Sequence, residues 1–197
     1  IMKNNLLKHS QAGQDLFALE VVKNNKTYIE IGANHYKHSN NTYPLEVENN
    51  WLGFSLELSQ KKFKHVWEEQ SERTNKIYWD NAITFDYANA VHKNKMPKRI
   101  GYLSCDIEPA ANTFAALQKV IEDGISFDCI TFEHDNYKSD LDYDKIAREY
   151  LKSKGYKVAV ENVYALNKPH RLFETWFVNN DISYKTMTYD TWKKLEY

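Results

Sequence analysis

Short apolar runs alternate along this chain with stretches in which apolar residues recur every third or fourth position, the pattern of strands interleaved with amphipathic helices. The runs predict strands over Thr27 to Gly32, Trp51 to Glu57, Ile77 to Trp79, Ile100 to Asp106, Phe127 to Glu133, Tyr156 to Glu161 and Glu174 to Val178. Helices are predicted from Ser10, as a cap, to Asn24, in a short segment ending near Asn49-Asn50, over Ser59 to Glu72, and weakly through Phe85 and Tyr87 to His92. The most regular helix is Ala110 to Glu122, closed by Asp123-Gly124, and the last carries Tyr143, Ile146, Ala147, Tyr150 and Leu151 before Gly155. Strands and helices in alternation imply a three-layer α/β fold around a mostly parallel, seven-stranded, Rossmann-like sheet. The last two strands are joined through Lys168-Pro169-His170 with no helix between them, which predicts a hairpin and one antiparallel strand near the edge. No repeat or linker divides the chain, so one domain over residues 1–197 is expected, with an N-terminal helical cap (1–26) on an α/β core (27–197).

Four of the runs deliver an acidic residue near their end: Glu30, Glu57, Asp106 and Glu133. In open α/β sheets the ligand lies across the carboxyl ends of the strands, and a carboxylate closing the strand after the first can grip both hydroxyls of a ribose. Glu57 has that place, and a nucleoside-containing cofactor follows. The first strand ends Glu30-Ile31-Gly32-Ala33-Asn34-His35-Tyr36, with one glycine where a dinucleotide site needs three, and no phosphate-binding loop is present. S-adenosylmethionine (SAM) has no phosphate to cradle. A single close-approach glycine, Gly32, then suffices, with Ala33 and Asn34 in the same loop and Glu30 as acceptor for the amino group of the methionine part.

With 26 basic and 27 acidic residues the formal charge is −1, which draws the protein to neither nucleic acid nor anionic membrane. No run approaches the roughly 20 apolar residues of a membrane span, and the first residues lack the order of a signal peptide. The only cysteines, Cys105 and Cys129, fall in two predicted buried strands, where a reduced pair points to a cytoplasmic protein.

Ser10-Gln11-Ala12-Gly13-Gln14-Asp15, Tyr28-Ile29-Glu30-Ile31-Gly32-Ala33-Asn34, Ser39-Asn40-Asn41-Thr42 with Leu45-Glu46, and Trp51-Leu52-Gly53 leading to Leu56-Glu57 together resemble the FkbM family of SAM-dependent methyltransferases. The resemblance continues in Asp106-Ile107-Glu108 and Phe132-Glu133-His134, and spans most of Ser10 to Asp135. It departs at Pro109, at Ala111 and at His35-Tyr36-Lys37. It implies a methyltransferase sheet, SAM as cofactor, and a hydroxyl of a sugar, glycan or small metabolite as acceptor, with no nucleic acid partner. It also implies adenine contacts from Asp80, Asn81 and Ala82, and cofactor or acceptor contacts from Gln11 and Gln14. Ser39 and Thr42 are read either as ligands or as helix caps.

Asp106 and Glu108 are two apart and point to one side of an extended strand, and Glu133 and Asp135 repeat the spacing with His134 between them. Asp106, Glu108, Glu133 and His134 therefore make a catalytic cluster, the alternative being a hydrogen-bonded structural network. His134 has the unperturbed pKa of a general base near neutrality; Asp106 would need its own raised by burial or by its neighbours. A divalent cation on the carboxylates is the less favoured occupant, since no H-x-x-H or C-x-x-C pattern supports a metal site, and His35 and His38 read as solvated loop residues. A catalytically idle SAM-binding protein and a nicotinamide oxidoreductase are the competing readings.

Overall fold

The computed structural model describes residue 3 and residues 8–196. Eight strands among these residues form one sheet: β1 (Thr27–Ile31), β2 (Leu52–Leu56), β3 (Lys76–Tyr78), β4 (Arg99–Cys105), β5 (Ser126–Glu133), β6 (Tyr156–Tyr164), β7 (Leu172–Asn179) and β8 (Met187–Thr188). Their order is β3-β2-β1-β4-β5-β7-β6-β8. β1 to β5 run parallel, β7 runs against both β5 and β6, and β8 follows β6. The reversed strand arises where the Pro169 loop leaves no room for a crossover helix.

The period of two along each strand sorts side chains between two cores. Ile29, Ile31, Phe54, Leu56, Leu103, Ile130 and Phe132 face α3 (Tyr87–Lys93), α4 (Ala110–Glu122) and α5 (Tyr143–Ser153). Tyr28, Tyr102, Cys129, Trp176 and Val178 face α1 (Gln14–Val21), the single π-helical turn Pro44–Glu48 and α6 (Tyr189–Lys194). A smaller cluster seats Phe63 and Trp67 of α2 (Gln60–Gln70) on Ala33. Cys105 and Cys129 are free and buried, one in each main core.

Three local expectations are corrected. The first helix starts at Gln14, because Gly13 adopts a left-handed φ of 89° and Ser10 Oγ accepts the Gly13 N–H, so Ser10 ties the turn before the helix instead of capping it. The final hairpin is longer than predicted, and β6 shifts register against β7. β8 and α6 were not foreseen at all; Tyr189 and Trp192 bury their rings against Trp176 there.

The carboxyl ends of β1, β2, β4 and β5 share one edge, and the chain leaves β1 through Gly32 at φ 87°. A Cβ on Gly32 would stand 1.7 Å from the Asp106 carbonyl oxygen. Only glycine lets the first loop pass so close to the end of β4.

Candidate active site

A cavity of about 930 Å³ lies across these strand ends. At one end Glu57, the first residue beyond β2, is fixed by two backbone donors: Asn34 N–H to Oε2 and Ser59 N–H to Oε1, each at 2.8 Å. Each carboxylate oxygen keeps a lone pair for a ligand. Around it stand Gly32, Leu58, Phe63 and, after β3, Asp80-Asn81-Ala82-Ile83, a turn held by Asn81 Oδ1 accepting the Ile83 N–H. This is a slot with apolar walls and an acidic rim, suited to a purine nucleoside. Ser10, Gln11 and Ser39 close its side.

The other end is acidic. Asp106 and Glu133 both line the cavity and hydrogen-bond to one another. Burial, with Asp135 and Glu108 nearby, pushes Asp106 up to about 6. Burial and the Asp106 charge push Glu133 well above the carboxylate range. The shared bond favours an ionised Asp106 and a protonated Glu133, so near neutral pH the pair carries one proton and one negative charge. Glu174 on β7, register partner of Glu133, is pushed by burial up to about 8 and accepts from Gln14 Nε2 and from Trp176 Nε1. Lys138 supplies the compensating cation, bonded to Asp135 at 2.7 Å and to Glu108.

The predicted residues divide accordingly. Gln11, Gly32, Asn34, Ser39, Glu57, Asp80, Asn81, Ala82, Asp106, Glu108 and Glu133 line the cavity together. Glu30, Ala33, Thr42, Gln14 and His134 do not. Glu30 lies within the β1 ladder, short of the strand end, so its carboxylate stays beneath the first loop, bonded to Ser55 Oγ at 2.7 Å and 3.6 Å from Arg73. Arg73, fully enclosed, also binds Glu46, Thr42, Asn40 and the Tyr28 hydroxyl. Thr42 is therefore part of this latch, and Asn40 and Asn41 fasten the same segment to Ala33 and Ser104. Ala33 packs on α2. Gln14 holds Glu174 from below. His134 points to the α5 face of β5, its Nδ1 accepting the Asn136 N–H, with burial lowering its pKa. The alternation of β5 puts Glu133 toward the cavity and His134 away from it. Among the described residues no three His, Cys, Asp or Glu side chains are gathered as metal ligands.

Sequence reasoning missed Arg73, Glu174, Tyr137, Lys138 and Arg171. Glu174 had a signal, an acid opening a predicted buried strand. The others stand in turns with no periodicity to read.

No known family's sequence model matches the chain, and no curated protein matches it in sequence. Its fold does have solved counterparts. A putative rRNA methylase from Clostridium thermocellum superposes with a TM-score of 0.54 at 15% identity, over 88% of this chain and 98% of that one. A spermidine synthase bound to a transition-state analogue gives 0.59 at 11%, over 89% and 63%. A putative tRNA (m1A22) methyltransferase from Streptococcus pneumoniae, solved with SAM, gives 0.53 at 12%, over 87% and 74%. The chain thus has an α/β Rossmann-like methyltransferase fold, shared with these solved structures.

Proposed function

We propose that this protein is a SAM-dependent O-methyltransferase of the FkbM type, acting on a hydroxyl of a sugar, glycan or other small metabolite in the cytoplasm. One observation carries the reading: a single cavity across the strand ends sets an anchored carboxylate, Glu57, at one end and a proton-sharing carboxylate pair, Asp106 and Glu133, at the other. The donor set fits SAM. Glu57 can accept two ribose hydroxyls, Asp80 to Ala82 flank an adenine slot, and buried carboxylates favour a ligand with positive charge near its reacting atom. The lone glycine at Gly32 offers no pyrophosphate cradle, which counts against a nicotinamide cofactor.

Bound SAM supplies an electrophilic methyl group on a sulfonium. This chain's residues hold the acceptor oxygen in line and take its proton. Asp106, ionised near neutrality, accepts that proton, and Glu133 keeps its own proton and orients Asp106 through the bond between them. His134, on the far face of β5, takes no part.

Titration with SAM and NAD side by side, followed by an acceptor screen with methyl-labelled SAM, tests the proposal. SAM binding with transfer to a hydroxyl supports it. NAD binding without SAM binding overturns it, and SAM binding with no turnover on any hydroxyl favours the idle SAM-binding protein.

A further inference from the structure

The acidic end of the cavity opens onto a loop of opposite sign. Between β6 and β7 the chain turns at Ala165, Lys168 and Arg171, tied by Lys168 N–H to the Ala165 carbonyl at 2.8 Å and Arg171 N–H to the Lys168 carbonyl at 3.0 Å. Lys168 and Arg171 both line the cavity. Among the described residues neither is paired with a carboxylate, whereas Lys138 beside them is neutralised by Asp135 and Glu108. The Arg171 guanidinium lies 5.3 Å from the centre of the Tyr137 ring, which also lines the cavity. Contact with the ring steadies a long side chain and leaves its N–H donors available, a fork matched to two oxygens of one anion.

We propose that this loop is an anion subsite for the acceptor: the methylated molecule carries a phosphate monoester or a carboxylate, held by Arg171 and Lys168. The inference rests on the methyltransferase reading and names the acceptor class for that same site. The polarity orients the acceptor. The negative Asp106–Glu133 pair repels an anionic group, so it settles on the loop, and the neutral hydroxyl is left to face Asp106. A small molecule fits better than a nucleic acid, because Lys168 and Arg171 sit together on one turn of a chain with a formal charge of −1.

Inorganic phosphate and acetate, titrated separately into the full chain saturated with S-adenosylhomocysteine and followed by NMR, test the subsite. At least one anion should shift the Arg171 side-chain N–H and the Tyr137 ring resonances saturably, and the stronger binder identifies the group. Arg171→Gln with Lys168→Gln should weaken that binding at least about tenfold while cofactor affinity is unchanged. Both residues are exposed, so the variant should fold. No saturable shift, or equal shifts in the variant, overturns the inference. A short single-stranded RNA that displaces phosphate and perturbs surfaces beyond the loop overturns the small-molecule assignment. Anion binding without S-adenosylhomocysteine binding sinks the methyltransferase reading alone; cofactor binding without an anion response sinks this inference alone.

Discussion

Glu57→Gln separates a carboxylate that binds cofactor from one that merely ends a strand. The native side chain accepts from Asn34 N–H and Ser59 N–H at 2.8 Å each, and its remaining lone pairs face the cavity. Gln keeps the shape but turns one acceptor oxygen into a donor, which must then meet an N–H group it cannot bond. The half-exposed setting limits the cost of that mismatch to about 1 kcal/mol of stability. Loss of the charge matters more for the ligand: a hydrogen bond to a charged group contributes about 1.5–3 kcal/mol, so SAM affinity should fall about ten- to hundredfold. Calorimetric titration of SAM into wild type and variant measures this, with thermal unfolding as the control for folding. Glu57→Ala should weaken binding at least as much, since it removes the anchor of the Asn34 loop as well. A folded Glu57→Gln protein with a wild-type dissociation constant would remove Glu57 from the ribose site.

Asp106→Asn should lower turnover at saturating SAM about 10²- to 10⁴-fold, and wild-type kcat/KM should fall as pH drops through about 6, read from a pH profile. His134→Gln, altering a side chain outside the cavity, should leave the shape of that profile unchanged; a shifted or flattened acid limb would restore His134 as the base. Apo-protein stability should fall as pH rises from 6.5 to 8: in the folded chain Glu174, near 8, still holds a proton that the unfolded chain, near 4.5, has released. That window begins at the ordinary His value, so the lowered His134 and His35 each recover only a few tenths of a kcal/mol at its lower end, and a net cost of about 1 kcal/mol, or roughly 2–4 °C in Tm, should appear in calorimetric scans. Arg73→Leu should destabilise by about 3–5 kcal/mol in chemical denaturation because Glu30 and Glu46 are left buried without their cation; a loss under about 1 kcal/mol would show the latch to be dispensable.

The amino-acid order by itself determined the succession of strands and helices as far as β7, the single reversed strand and the placing of acids at the strand ends, because each is a local consequence of periodicity and of what a turn tolerates. Glu57, Asp106 and Glu133 were legible for that reason: each stands where a strand gives out at the edge where a parallel sheet opens to ligand. The tertiary structure decided which of the remaining polar groups meet. Glu30 looked equivalent to Glu57, yet two residues of strand and glycine still follow it, and Arg73, far off in sequence, closes over it. His134 and Glu133 are adjacent in sequence, and the pleat sends one to α5 and the other to the cavity. Glu174 comes beside Glu133 only because β7 runs antiparallel in a particular register, a pairing between distant segments that no local pattern encodes. The rise of the buried carboxylates follows from that convergence, since burial and mutual repulsion exist only once the strands have been brought side by side.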